Sequence, residues 1–463
     1  MYPAKLILCL TFTIHLVLTS KLAHIPLFPV YNWNFINNNA IVDEGYYINL
    51  DFGTPEQRFN ILLDTGSSNL AIAAIPNVHL DTYFHYNRST TFHTNNQKLI
   101  VNYTVGSWQG FLATELISVP SNPPLVVNTN IACIESETNF FSNSSVWQGI
   151  LGMAYAKIAK PPSLVPFFDS LVKTKDLNNI FSLHTCGPFA TMAGSNGELV
   201  LGGIDEKLYS GNIVFTPIYQ EWYYEVILMN MKIGNDSWPY ECFKLNTNHT
   251  IIDTGSSNFV VPQPAFDWII EKIKRNTMML EIPDDFWYRK TEVCLFDEEV
   301  DLFPDLRLYL AQKEKQTFSL VITSEMYLQK SSNERKPCYY FSIELGSKET
   351  VIGAAILKGF YVVFDRENKR IGFANGTCFT KYSKFIAMVT ASEETSKTSE
   401  DCMYFPNKHG AETGIKIVSY VVAFICLICA IPLLIMLMRW IWVHLICPKI
   451  DSSENSSLVE GSQ

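Results

Sequence analysis

Outside one late apolar stretch the sequence has no CxxC pair; the only such spacing, Cys426 and Cys429, falls inside that stretch. There is no HExxH, and the nine histidines are scattered without the spacing of metal ligands. Both absences argue against a zinc centre, and no metal is expected. Positive charge is also in short supply: 35 Lys and Arg stand against 45 Asp and Glu, a net charge of −10, and no basic patch with interleaved aromatics occurs. Nucleic acid is therefore not expected as a partner. The negative charge is spread along the chain rather than gathered in a block.

At 463 residues the chain is too long for one ordinary core and predicts two lobes. Residues 1–20, MYPAKLILCLTFTIHLVLTS, place one Lys ahead of the apolar stretch Leu6 to Leu18 and read as a secretory signal peptide. Near the other end, IVSYVVAFICLICAIPLLIMLM (Ile417 to Met438) is an uncharged run long enough to cross a bilayer core of about 30 Å. A membrane helix is expected over 415–438, with Pro432 tolerated inside it and Arg439, Trp440, Trp442 and Lys449 as its interfacial anchor. A signal plus one late span gives a single-pass type I membrane protein, embedded in the lipid bilayer, with residues 439–463 as a cytosolic tail.

That topology puts seven of the eleven cysteines in an oxidising compartment: 133, 186, 242, 294, 338, 378 and 402. An odd number implies three disulfides and one thiol left over. Six lumenal sequons, at Asn87, Asn102, Asn143, Asn235, Asn248 and Asn375, mark expected glycosylation sites.

Between the ends the chain is rich in Tyr, Phe, Val, Ile and Thr, cut by Gly, Pro, Asn and Ser at short intervals, which predicts a mostly β fold. "GYYINLDFG" and "QRFNILLDTG" alternate as strands around a GTPE turn, while "FFDSLV" and "AFDWIIEKIKRN" read as short helices. Residues 386–414, carrying SEETSKTSED, are polar and poor in aliphatics and read as a stalk.

One stretch occurs twice. DTGSS stands at 64–68 and again at 253–257, each copy behind an apolar run, and each followed downstream by two aliphatics and a Gly, in "QGILGMAY" and "TVIGAAIL". The simplest physical reading is two similar β lobes facing each other, each delivering one carboxylate to a shared cleft. Two carboxylates about 4 Å apart at an effective dielectric near 20 repel by about 4 kcal/mol, roughly three pKa units. They share one proton over a window of acidic pH. In that state the ionised partner takes a proton from water while the protonated partner donates to a carbonyl oxygen. Gly66 and Gly255 allow tight loops, and Thr65, Ser67, Thr254 and Ser256 supply hydroxyls to lock them.

On these residues the sequence resembles the pepsin-like (A1) aspartic proteases, and among them the membrane-anchored β-secretases, or memapsins. The doubled DTG carries the first likeness; "EWYYEV", the cysteine spacing and the late span carry the second. The resemblance implies a bilobal fold with two pseudo-symmetric β lobes (44–208 and 209–385), a prosegment over 21–43, and a peptide-bond hydrolase working without a cofactor. It implies Asp64 and Asp253 as the catalytic pair, and a flap hairpin in "VNYTVGSWQG" with Tyr103 closing on substrate and Trp108 behind it. It also implies the disulfides Cys186–Cys378, Cys242–Cys402 and Cys294–Cys338, leaving Cys133 as a buried thiol. Polypeptide substrates are implied, type I membrane proteins among them, in the Golgi, in endosomes or at the cell surface. A general endosomal acid protease and a silent binding receptor on the same scaffold are the alternatives. The chain departs from the β-secretase pattern in Thr254, where Ser is usual, in Val260, where a basic residue is usual, and in the lack of paired basic residues within 21–43.

Overall fold

The computed structural model describes residues 22–442, apart from 31, 35–38, 42–44, 123, 144, 176, 187–195, 314, 332–335, 379–386 and 405. The expected signal peptide, and the tail beyond 442, lie outside the described residues. The chain divides into two units, Met1–Tyr404 and Phe405–Gln463.

Within the first unit the two DTGSS loops are ends of equivalent strand arrangements. Gln57–Asp64 runs into the first loop, and Gly149–Gly152 lies beside it in parallel, with Gly152 opposite Asp64. On its other side Gly149–Gly152 pairs antiparallel with Leu70–Ala73. In the C-terminal half, Thr350–Ile352 lies parallel to Thr250–Ile252 and antiparallel to Phe259–Val261. Gly149–Gly152 and Thr350–Ile352 are buried along their whole length, covered on both faces, which is why they read as apolar runs rather than alternations. The two aliphatics before each Gly are these inserted strands.

A six-stranded sheet joins the lobes. Its order is Ala23–Pro26, Gly197–Leu201, Ile180–Thr185, Phe360–Asp365, Arg370–Gly376 and Tyr209–Pro217. The expected boundary at 208/209 therefore falls inside a sheet to which both lobes contribute. Beside that sheet Arg366, 4% exposed, makes a two-pronged pair with Asp169 at 3.1 Å and lies over the Tyr155 ring at 4.6 Å.

The first strand of this sheet lies within the stretch 21–43, where a removable prosegment was expected. Ala23–Pro26 pairs in full register with Glu198–Leu201, and the pairing continues through Leu27, whose N–H donates to the Gly197 carbonyl at 3.0 Å. Ile25, Leu27 and Val30 are buried at 2% exposure or less. Phe28 then stacks on Tyr47 with ring centroids 5.4 Å apart, and Phe28–Pro29 adds an edge to the N-terminal sheet. Segment 22–30 is a sheet strand with core side chains.

Among the described residues three disulfides are formed: Cys186–Cys378, Cys242–Cys402 and Cys294–Cys338. The first ties the Ile180–Thr185 end of the joining sheet to residues following Arg370–Gly376, so it links the lobes covalently. Cys133 is an unpaired buried thiol whose pKa burial pushes up, with Glu115 and Glu135 adding to the shift.

His184 lies against the lobe-linking disulfide, its Nε2 3.3 Å from Cys378 Sγ and 3.6 Å from Cys186 Sγ. Both sulfurs are spent in the disulfide, so this group offers no thiolate to a metal. Burial lowers the His184 pKa to about 4. The unfolded chain, with an ordinary histidine near 6.5, then takes up the proton first as pH falls. Stability is therefore full above about pH 6.5 and drops by about 3 kcal/mol as pH falls toward 4. Unfolding midpoints measured across that window should show this loss, and His184→Gln should flatten it.

The stalk expected over 386–414 is corrected. Met388–Val389 and Glu393–Glu394 pair with the strand Gln316–Ile322, Ala387 is fully buried, and Cys402 is buried in its disulfide. The packed C-terminal lobe therefore runs to Tyr404. The described residues of the second unit include one helix, Pro406–Ile441, with Pro432 inside it; Val418–Ile441 is long and apolar enough to cross a membrane.

Candidate active site

Each loop is locked to the other by a reciprocal set of bonds that the doubled Thr makes possible. The Thr65 N–H donates to Thr254 Oγ1 (3.1 Å) and the Thr254 N–H to Thr65 Oγ1 (2.9 Å). Each hydroxyl passes its own proton across the interface: Thr65 Oγ1 to the Ile252 carbonyl (3.0 Å) and Thr254 Oγ1 to the Leu63 carbonyl (2.8 Å). Four bonds among buried groups hold the loops in register, and loss of either hydroxyl removes two of them.

The carboxylates are oriented by equally matched partners. Gly66 N–H donates to Asp64 Oδ1 (2.7 Å) and Gly255 N–H to Asp253 Oδ1 (2.8 Å). Ser67 Oγ donates to Asp64 Oδ2, and Ser256 Oγ to Asp253 Oδ2 at 2.8 Å. The loops cross so closely that each glycine faces the opposite carboxyl. A Cβ on Gly66 would come 2.5 Å from the Asp253 carboxyl, and one on Gly255 would collide with Asp64 Oδ1. No residue with a side chain fits at either place.

The two carboxyls lie within hydrogen-bonding reach of each other. Burial raises the Asp64 pKa well above the usual carboxylate range, and the charge of Asp253 raises it further. The opposing effects, donation from Ser67 and from Gly66 N–H, are smaller. Asp64 is buried at 4% exposure while Asp253 is half-buried. Two interacting carboxyls of this kind titrate as a pair rather than as separate groups.

The stretch expected as a flap is a hairpin: His93–Asn102 and Ser107–Val119 pair antiparallel, with Tyr103 N–H donating to the Gly106 carbonyl at 3.0 Å across the turn. Gly106 has φ +79°, and a Cβ there would strike the Asn139 carbonyl. Trp108 is fully buried and donates from Nε1 to the Tyr103 hydroxyl at 3.2 Å. Burial raises the Tyr103 pKa, and the Asp64 charge raises it further. Ser67, which donates to Asp64, acts against the rise in the Tyr103 pKa. Phe140 stacks on Tyr103 at 5.3 Å between centroids.

Two residues that sequence reasoning did not single out belong to this surround. Phe140 is one; Tyr223 is the other, its phenol pKa raised by burial and then by the charges of Asp253 and Asp64. Tyr223 stacks on His249 at 5.7 Å. The stretch "EWYYEV" contains it, yet nothing in that stretch alone says which of its tyrosines turns toward the carboxylates: Tyr224 is fully buried and donates to the Met153 carbonyl at 2.6 Å.

Paired lobes, crossed DTG loops and an aromatic flap define an aspartic peptidase architecture, and the chain belongs to the eukaryotic aspartyl proteases, whose family model matches residues 45–376. It is an aspartic endopeptidase acting on polypeptides. Among curated relatives it is 38% identical to a beta-secretase of Strongylocentrotus purpuratus over 84% of this chain and 78% of that one. It is 28% identical to a renin of Echis ocellatus, covering 72% of this chain and 80% of the relative. A gastricsin of Mus musculus is likewise 28% identical, over 72% of this chain and 82% of its own.

Proposed function

We propose that the protein is a β-secretase-like, membrane-anchored aspartic endopeptidase in which Asp64 and Asp253 activate water at acidic pH. The observation that carries the reading is the reciprocity of the loops: each aspartate is held by its own glycine N–H and serine hydroxyl while the other loop's glycine lies against it. With one proton on the pair, the ionised carboxylate removes a proton from water as that water attacks the scissile carbonyl carbon. The protonated partner donates to the carbonyl oxygen, and the resulting tetrahedral diol collapses with proton transfer to the leaving amine. No covalent intermediate forms. Base and acid roles belong to the pair, since the two carboxyls have matched support.

Tyr103 acts by closing the hairpin over an extended peptide, excluding water and fixing the carbonyl against the pair. Thr65 and Thr254 act through the carboxylates, by holding two lobes in one geometry. Disulfides, sequons and the apolar helix Val418–Ile441 support a lumenal protease tethered by one C-terminal span, in the Golgi, in endosomes or at the cell surface.

A tether on the protease raises the effective concentration of substrates held in the same bilayer. Full-length protein reconstituted into vesicles should therefore cleave a membrane-anchored substrate on the order of a hundredfold faster than the same lumenal sequence offered as a soluble peptide at equal bulk concentration. Equal rates for the two forms would favour a general acid protease that is merely tethered.

A further inference from the structure

We propose that Asn102 carries an N-linked glycan on the outer face of the flap, so that the hairpin offers Tyr103 to the cleft on one side and carbohydrate to solvent on the other. The proposal rests on the lumenal reading given above. Its starting point is the pleat of the hairpin. Asn102 lies opposite Ser107, Val101 opposite Trp108 and Ile100 opposite Gln109. Directly opposed residues share a face and successive residues alternate between faces. Val101 and Trp108, at 7% and 0% exposure, therefore mark the inner face, to which Tyr103 also belongs. Asn102, Ser107, Ile100 and Gln109 mark the outer one.

Asn102 is exposed, and its amide makes no hydrogen bond among the described residues. Asn375 is the contrasting sequon: it is half-buried inside the joining sheet, and its amide oxygen accepts from the Val389 N–H at 2.8 Å. A sugar on Asn102 would break no contact, and its linkage would point away from Asp64 and Asp253. It would also lie beside two apolar groups that the flap leaves in water, Ile100 at 56% and Val105 at 76% exposure. Exposed apolar groups on a hinged hairpin invite non-specific contacts, and a hydrated glycan among them covers both.

The modification forms a bond from Asn102 Nδ2 to the reducing-end sugar carbon of a lipid-diphosphate-linked oligosaccharide. The bond from that carbon to the diphosphate oxygen breaks, the lipid diphosphate leaves with the electron pair, and the amide nitrogen loses one proton. Thr104 completes the acceptor sequence. On the outer face the glycan leaves the cleft open to an extended strand entering beneath the hairpin, while a folded body approaching over the flap meets the carbohydrate first.

The test is glycopeptide mapping of the full-length protein from a secretory host, with enzymatic deglycosylation in oxygen-18 water to mark each occupied asparagine. Label at Asn102 together with other sequons is the expected result. Label at other sequons with none at Asn102 overturns the proposal and leaves the lumenal reading intact. No label anywhere overturns both. A kinetic arm tests the shielding: for one cleavage sequence offered as a short peptide and as a loop of a folded protein, Asn102→Gln should raise the folded-to-peptide ratio of kcat/KM by about threefold or more. Thr104→Ser, which keeps the acceptor sequence, should leave that ratio at the parent value; an unchanged ratio in Asn102→Gln, or a raised one in Thr104→Ser, contradicts the shielding role.

Discussion

Asp64→Asn and Asp253→Asn should each lower kcat by at least about 10⁴-fold while leaving the fold intact, because residues that act as one unit fail together when either is removed. Asparagine keeps the oxygen that accepts from Gly66 or Gly255, so the loops need not move. What is lost is the exchangeable proton: an amide neither takes a proton from water nor gives one to the carbonyl oxygen. The sign of the stability change follows from the raised pKa of Asp64. A carboxyl that prefers its proton in the folded state adds stability at low pH, which is lost as pH rises above its ordinary value. Asp64→Asn removes that neutral-pH penalty, so its unfolding midpoint at pH 7 should equal or exceed the parent's. Steady-state kinetics beside denaturation curves separate this outcome from simple misfolding, in which kcat and the midpoint would fall together.

The second large effect concerns the N-terminal strand. Leu27→Ala should destabilise the protein by about 2–5 kcal/mol, the ordinary cost of emptying a fully buried aliphatic site. Ile25→Asp should prevent folding to an active state, since it places a charge at 1% exposure between sheet neighbours with no partner to meet it. The same packing gives an expectation for the mature chain: N-terminal sequencing of protein isolated from the secretory pathway should start before Ala23. A start near residue 44 with full stability would mean that the strand is dispensable once the protein has folded, as a removable prosegment over 21–43 would be.

How far the sequence could be read depends on how local each signal is. The doubled DTGSS, with a strand ahead of it and an aliphatic pair and Gly after it, predicts the crossed loops because every part of that pattern lies within one strand or its immediate neighbour. The hairpin of His93–Asn102 and Ser107–Val119 was legible for the same reason, as two alternating runs around a Val-Gly turn. Residues 22–30 were not: two prolines interrupt "AHIPLFPV", and its partner Gly197–Leu201 is remote in sequence, so no local alternation announces a sheet edge. The polar run SEETSKTSED hid one short edge pairing, Glu393–Glu394, where solvent-facing side chains are charged in any case, and Met388–Val389 just before it formed another. Only Cys402, bonded to Cys242 across 160 residues, pointed to a packed segment there. The lowered pKa of His184 depends on being enclosed by the joining sheet and the disulfide, and "FSLHTC" reads as an unremarkable strand without them. Phe140 stacks on Tyr103, and Tyr223 lies in the field of the two aspartates, through packing that no spacing encodes.

The most direct test of the central claim, that one proton shared by Asp64 and Asp253 drives hydrolysis, is the pH dependence of kcat/KM for the full-length protein on a peptide substrate. The account requires a bell at acidic pH: activity is lost on the acid side as the second carboxyl protonates, and on the basic side as the pair gives up its remaining proton. A profile that rises from acid and stays flat through neutral into alkaline pH would contradict it, because no shared proton would then be needed for cleavage.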